Sequence, residues 1–153
     1  MKKMRRKDRI MDQSKIPIIL EKSEYGILST CDENNQPYAV PINYVYYNNN
    51  LYFHCANEGA KLDNISINNT VCFNIVSSSK IIPGEFTSKY ESLLIFGKAS
   101  KVYDKEKEDA LIQLVKKYSP EFIENGKEYI GKSQHVVTVI KIAINYISGK
   151  ENL

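Results

Sequence analysis

The densest run of chemically capable residues is Leu51-Tyr52-Phe53-His54-Cys55-Ala56-Asn57-Glu58-Gly59-Ala60-Lys61-Leu62. Strand alternation sends Leu51, Phe53 and Cys55 to one face and Tyr52 and His54 to the other, so His54 ends a strand just before a glycine-containing helix start. Free N–H groups at a helix N-terminus bind anions. Lys61, followed by Leu62, adds a point charge within reach of a phosphate. Without an anion, Glu58 would cap the same helix. The alternative is an ordinary capped helix with a solvent-facing lysine and a hydrogen-bonded histidine.

A second constellation is Tyr38-Ala39-Val40-Pro41-Ile42-Asn43-Tyr44. Pro41 cannot donate to a central ladder, so the strand has either a free edge or a bulge that exposes neighbouring backbone groups. Exposed amides and carbonyls suit the hydrogen-bonding rim of a planar heterocycle such as a flavin, and Asn43 can donate and accept. An edge strand whose proline blocks aggregation is the other reading. Tyr44, Tyr46, Tyr47 and Tyr52 gather on one hairpin, where a subunit interface is favoured over stacking on a ring.

Other chemistry finds little support. His54 and His135 cannot build a three-histidine metal site, and neither Cys-x-x-Cys nor His-Glu-x-x-His occurs. No serine occupies Gly-x-Ser-x-Gly, and no Gly-x-Gly-x-x-Gly or Walker-type loop follows a strand. Any chemistry therefore falls to a cofactor.

The elements that must position these residues follow from periodicity. A short helix over Ser14 to Lys22 precedes a strand over Gly26 to Cys31 and a polar turn. A strand over Tyr38 to Tyr47 returns through the Asn48-Asn49-Asn50 tip as Leu51 to Cys55. A helix over Glu58 to Asn68 and a strand over Thr70 to Val76 come next, and the serines from Ser77 through Pro83 and Gly84 read as a long loop. A strand over Tyr90 to Tyr103 bends at Gly97, and Asp104 N-caps a helix that Pro120 ends. His135 to Ile147 alternates, with Val136, Thr138, Ile140, Ile142, Ile144 and Tyr146 on one face. Six short antiparallel strands with three or four helices predict a mainly β closed or split barrel rather than a parallel α/β sheet.

The 153 residues are 42% hydrophobic and 25% charged, which suits one folded domain over residues 1–153. The longest apolar runs fall far short of the roughly 20 residues a membrane span needs, and the N-terminal charges lead into no apolar stretch, so a cytoplasmic chain is expected. Cys31, Cys55 and Cys72 are too widely spaced for a disulfide framework or paired zinc motif. An arm over residues 1–13 carries Lys2, Lys3, Arg5, Arg6, Lys7 and Arg9 against Asp8 and Asp12. It exceeds the whole net charge of +3, so the rest of the chain is slightly acidic. That body offers no basic stripe to continue a nucleic-acid contact. The arm is then solvated, or closes over a ligand or a partner subunit.

Taken together, Met4-Arg5-Arg6-Lys7-Asp8-Arg9, Gly26-Ile27-Leu28-Ser29-Thr30, Pro37 to Tyr44, Leu51 to Ala56 with Glu58-Gly59-Ala60-Lys61, Tyr90 to Ala99, and Ser148-Gly149-Lys150 resemble the 5-nitroimidazole resistance (Nim) family. That family belongs to the pyridoxamine 5′-phosphate oxidase-like, flavin-binding split barrels. The resemblance runs in order from about Met4 to Lys150. It implies a six-stranded split barrel that forms a homodimer with FMN in two clefts between subunits. Val40, Pro41, Ile42 and Asn43 would face the flavin ring, and His54 and Ala56 would adjoin the ring and ribityl chain. Lys61 and Leu62 at the helix start would hold the phosphate, and Ser92 would approach from the same or the second subunit. His54 matches a histidine that acts beside the flavin, with proton donation to a reduced nitro group as its role. The implied activity passes electrons from a reduced donor to a small acceptor such as a nitroaromatic. The alternative is a non-catalytic flavin- or haem-binding storage or sensor protein. Apart from Asn43, the stretch equivalent to the arginine- and lysine-rich phosphate strand of vitamin B6 oxidases is apolar, which sets that activity aside.

Overall fold

The computed structural model describes residues 4–153; Met1, Lys2 and Lys3 of the basic arm lie outside the described residues. Helix α1 (Lys15–Lys22) carries Pro17 in its first turn, where a missing N–H breaks no intrahelical bond, and buries Ile16, Ile19 and Leu20. Strand β1 (Tyr25–Cys31) turns into β2 (Pro37–Asn43), with the Asp32 carboxylate accepting from the N–H groups of Asn34 and Gln36 at 2.8 Å each. Strand β3 (Val45–Tyr47) and β4 (Asn50–Ala56) form a hairpin through Asn48 and Asn49, both at positive φ (48° and 59°), the conformation a two-residue type I′ turn demands. Helix α2 (Ala60–Ile67) leads to the long strands β5 (Thr70–Ile82) and β6 (Thr87–Val102). Helices α3 (Asp104–Tyr118) and α4 (Ile123–Ser133) then precede β7 (Val137–Asn152).

The seven strands make one antiparallel sheet in the order β2-β1-β5-β6-β7-β4-β3. Its two edge strands are consecutive in sequence, with Tyr44 alone between them. A sheet whose first and last strands share one linking residue must curl until its edges meet there, which is a half-open barrel. Inside lie Leu28, Phe53, Phe73, Ile75, Leu93, Ile95, Ile140 and Ile142. Outside, a second cluster of Tyr52, Val102, Ala110, Leu111, Leu114, Ile130 and Val139 seats α3 and α4 on β3, β4 and β7.

Several expectations are corrected. Seven strands replace six because the expected Tyr38–Tyr47 strand breaks at Tyr44. There the backbone N–H donates to the Tyr118 hydroxyl at 2.9 Å, and the carbonyl accepts from Tyr118 (2.7 Å) and from Lys117 Nζ (3.0 Å), instead of pairing with a strand. Tyr44 and Tyr52 are buried in the chain's own core, so they offer no interface. The serine-rich segment is not a long loop. After a bulge at Ser77 the strand resumes, and Ser78 to Ile82 pair with Thr87 to Glu91, leaving only a short turn at Pro83–Glu85. Partner strands override polar composition here. Asp104 is the first residue of α3 and not its N-cap, a place that Tyr103 takes without a side-chain capping hydrogen bond. Gly97 does mark a bulge, and Asn145 is its extra residue. Beyond it the phase of β7 inverts, so Tyr146 leaves the face shared by Ile140, Ile142 and Ile144 and lies beside Phe96 on the outer side, while Ile147 takes the inner place. Val136 falls in a 3-10 turn before β7 and is exposed. The described part of the arm is not free: Ile10 bridges to Lys150, Met11 is buried, and its N–H donates to Gly149 O at 3.1 Å.

Candidate functional site

The barrel is split because its two edges diverge from Tyr44. Among the described residues strand β2 pairs only with β1, and β4 runs on past Tyr52 after its pairing with the three-residue β3 has ended. In an antiparallel ladder, residues alternate between facing the partner with their N–H and C=O and facing away. Asp32 N–H donates to Gln36 O at 3.1 Å, so the alternation directs Val40 and Ile42 at β1, and Ala39, Pro41 and Asn43 at the open side. Both prolines of β2, Pro37 and Pro41, thus occupy positions where the missing N–H breaks no ladder bond. On β4, the two-residue turn makes Tyr47 and Asn50 a hydrogen-bonded pair, and the alternation continues through Tyr52 to His54 and Ala56. The backbone groups of His54 and Ala56 therefore face the split from one bank, and those of Ala39, Pro41 and Asn43 from the other.

The end of the β4 bank is a helix start. Gly59 precedes α2 at φ 126°, a left-handed conformation that favours glycine, and its carbonyl accepts from Leu62 N–H at 2.8 Å. No side chain among the described residues caps this terminus, and the exposed Glu58 does not reach back to it. Lys61 is half-buried in the first turn, close enough to Cys55 to offset part of the upward pKa shift that burial gives the thiol. Leu62 is buried and anchors the helix in the barrel core. Asn57 fixes the intervening segment: its amide donates to His135 O at 3.1 Å, and its carbonyl accepts from Thr138 Oγ1 at 2.9 Å.

Side chains on β4 stand perpendicular to the split, so the His54 ring lies on the outer face, under the α3–α4 hairpin. There it shares with Asn43 a cavity of about 440 Å³ lined by Leu114 and Tyr118 of α3, Tyr129 and Ile130 of α4, and Val136 ahead of β7. Partial burial lowers the His54 pKa below its ordinary value, so the neutral imidazole predominates near neutral pH. Two expected site residues, Asn43 and His54, therefore line one cavity, the Asn43 side-chain amide donating to Glu24 O at 3.0 Å. Val40 and Ile42 turn inward against the core, leaving Pro41 and Ala56 on the banks. Ser92 is elsewhere. It lines a separate depression of about 380 Å³ on the outer face of β5–β7, with Leu94, Phe96, Tyr146 and Lys150, and its hydroxyl lies 3.4 Å from Lys150 O.

The sequence reading missed the α3–α4 contribution. Tyr118 is an aromatic near the end of α3 with nothing in its neighbours to mark it, yet its hydroxyl also bonds Glu24 O at 2.5 Å and holds the apex of the split. Lys117 beside it donates to Ser23 O at 2.7 Å and lies 4.0 Å from the centre of the Tyr44 ring. Burial pulls its pKa down to about 8. Among the described residues no cluster of histidine, cysteine, aspartate and glutamate could hold a metal ion, and no helix is long and apolar enough to cross a membrane.

The family model described as pyridoxamine 5′-phosphate oxidase matches residues 12–151. A candidate 5-nitroimidazole antibiotic resistance protein from Bacteroides thetaiotaomicron is 26% identical, with a TM-score of 0.73 over 93% of this chain and 85% of its own. A conserved hypothetical protein from Mycobacterium tuberculosis is 15% identical, with a TM-score of 0.83 over 97% and 90% of the two chains. An FAD and haem binding protein from Mycobacterium smegmatis is 16% identical, with a TM-score of 0.80 over 92% and 71%. The last two likenesses are of fold. No curated protein matches the sequence.

Proposed function

This chain belongs to the pyridoxamine 5′-phosphate oxidase family, and on that premise we propose that it is a cytoplasmic, homodimeric FMN-dependent oxidoreductase reducing a small acceptor such as a nitroaromatic. One observation carries the reading: two unpaired backbone banks face each other across the split, and one of them runs into an uncapped helix start bearing Lys61. Backbone donors and acceptors at Ala39, Pro41, Asn43, His54 and Ala56 suit the polar rim of a flavin ring. The start of α2 and Lys61 suit a single phosphate, which favours FMN over a dinucleotide. Bound there, a flavin would supply two-electron transfer between donor and acceptor. The chain's own part is then positional and protonic. His54, neutral near pH 7, can hold a proton on one ring nitrogen and accept one on the other, so it can relay a proton without leaving a charge in an apolar cavity.

Support for pairing comes from the outer face of β5–β7, where Leu94 and Tyr146 are 38% and 40% exposed around the depression that holds Ser92. Tight approach of a second copy would bring Ser92 into a shared site. The second reading, a flavin- or haem-binding storage protein, draws on the open His54 ring, which could serve as an axial ligand. A flavin spectrum near one equivalent per chain and anaerobic turnover favour the first reading, whereas a Soret band without turnover favours the second. Lys61→Ala should weaken FMN binding by about 1.5–3 kcal/mol, the usual contribution of a charge-assisted hydrogen bond. Equal affinity for the two proteins by fluorescence titration rejects that assignment. His54→Ala should keep FMN and lose reduction by about a hundredfold.

A further inference from the structure

We infer that two copies of this chain pack through the outer faces of β5–β7, each lending Phe86 from the tip of its β5–β6 hairpin to close the mouth of the other's His54 cavity. The inference rests on the homodimer proposed above, and adds which surfaces meet and which residue crosses between them.

The hairpin outruns the sheet. Among the described residues β1 leaves β5 after Asn74 and β7 ends its pairing with β6 at Tyr90, so residues 80–89 project as two strands and a turn. A two-stranded hairpin is marginal in water without something to pack on. The bulge at Ser77 inverts the phase of β5 and turns Ile81, opposite Ser88, to the face that carries Val76, Leu94 and Tyr146, all four exposed. Lys80 and Lys89 pair on the other side. One side of the projection is thus apolar and the other charged, which suits contact on one side alone. At the tip, Phe86 is 98% exposed at φ 51°. That left-handed backbone suits asparagine or glycine and disfavours a bulky side chain, and the ring gains no burial in its own chain to offset it.

The helices select the arrangement. Both α3 and α4 stand on the outer face at the Val102–Val139 end of the sheet, opposite the hairpin. A two-fold axis along the strands would set helices against helices and hold the two sheets apart. An axis across the strands sets each hairpin beside the other copy's helices, and both contacts form at once. Leu94 stands midway along β6 between Phe86 and Val102, about 26 Å from each at about 3.3 Å per residue. An axis near Leu94 therefore carries Phe86 to the level of Val102 in the other copy, whose row continues through Val139 to His54. Tyr129 and Val136, both exposed, stand at the mouth of the cavity there. From the turn to Lys98 the open face measures about 40 Å by three strands, roughly 550 Å² before the hairpin's landing is added, against about 800 Å² per partner in a stable interface.

The test places p-benzoylphenylalanine at position 86 of an isotopically heavy full chain, exchanges subunits with light chain, and maps photo-crosslinks by mass spectrometry with and without FMN. Sedimentation velocity gives the oligomeric state of the parent protein. A dimer is expected, with heavy-to-light crosslinks to Tyr129, Val136 or their immediate neighbours. Phe86→Asn, which fits the backbone of the turn, should keep its circular dichroism and weaken the dimer about tenfold. Ile81→Lys should weaken it similarly, which provides a readout if the asparagine variant does not fold. A monomeric parent protein overturns the inference and the homodimer together. A dimer whose crosslinks join position 86 to the other copy's hairpin, or run only within one chain, overturns the inference alone, as does an unchanged dimerisation constant in Phe86→Asn. A dimer with the expected crosslinks that takes up no FMN supports the inference and refutes the flavin reading instead.

Discussion

Replacing Tyr118 with phenylalanine removes a single oxygen, yet that oxygen holds the apex of the split. It accepts the Tyr44 N–H at 2.9 Å and lies 2.7 Å from Tyr44 O and 2.5 Å from Glu24 O, donating its one proton to either carbonyl. In Tyr118→Phe the Tyr44 carbonyl keeps Lys117, and the Glu24 carbonyl keeps the Asn43 side-chain amide, which donates to it at 3.0 Å. The Tyr44 N–H has no such substitute, because Tyr44 is wholly buried. An unsatisfied buried donor costs about 1–3 kcal/mol, and Tyr118 is 37% exposed, so water reaching the site from its side puts the expected loss at about 1–2 kcal/mol. With a urea slope of about 2 kcal/mol per molar, the unfolding midpoint should fall by roughly 0.5–1 M at unchanged slope. The retained ring keeps the cavity wall, so any loss of FMN affinity reports on the angle between the banks. Urea unfolding followed by far-ultraviolet circular dichroism measures the first quantity. A midpoint matching the parent protein would show that Tyr44 finds another partner and that Tyr118 does not close the barrel.

Lys117 makes the stability of the same seam depend on pH. Its folded-state pKa is depressed to about 8 from an ordinary 10.5, chiefly by burial and against a small opposing pull from Glu24. Between those values the unfolded chain holds a proton that the folded chain has released, so stability attributable to Lys117 rises with pH over that interval, by on the order of 3 kcal/mol at most. Subtracting the urea-derived curve of Lys117→Met from that of the parent isolates this rise, and a difference that stays flat or falls from pH 8 to 10.5 contradicts it. At Gly97 an added Cβ would lie 2.4 Å from Ala143 O and 2.7 Å from Ile142 Cγ2. Backbone cannot swing aside as a side-chain tip can, so Gly97→Ala should cost about 1–3 kcal/mol, and an unaltered thermal midpoint would mean that the β6–β7 bulge yields freely.

What the sequence disclosed and what it hid divide along one physical line. Alternation on β4 is local, and it correctly sends Leu51, Phe53 and Cys55 to the core while His54 goes outward. Pro41 announces a free edge because the missing donor is a property of the residue itself, and the positive φ of Asn48 and Asn49 follows from asparagine's own tolerance of that conformation. The break at Tyr44 is different. Nothing in Asn43-Tyr44-Val45 interrupts a β pattern, and what ends the strand is a hydroxyl 74 residues further along the chain. The inverted face of Tyr146 and the continued pairing of Ser78 to Ile82 are likewise set by a neighbouring strand's register. The candidate site sits where these two kinds of information meet. Its backbone banks are foreshadowed by proline and alternation, but they become a split only because α3 grips the one residue that joins them. A mutation that leaves every motif residue intact and loosens that grip should therefore damage the site as surely as a change to His54 or Lys61.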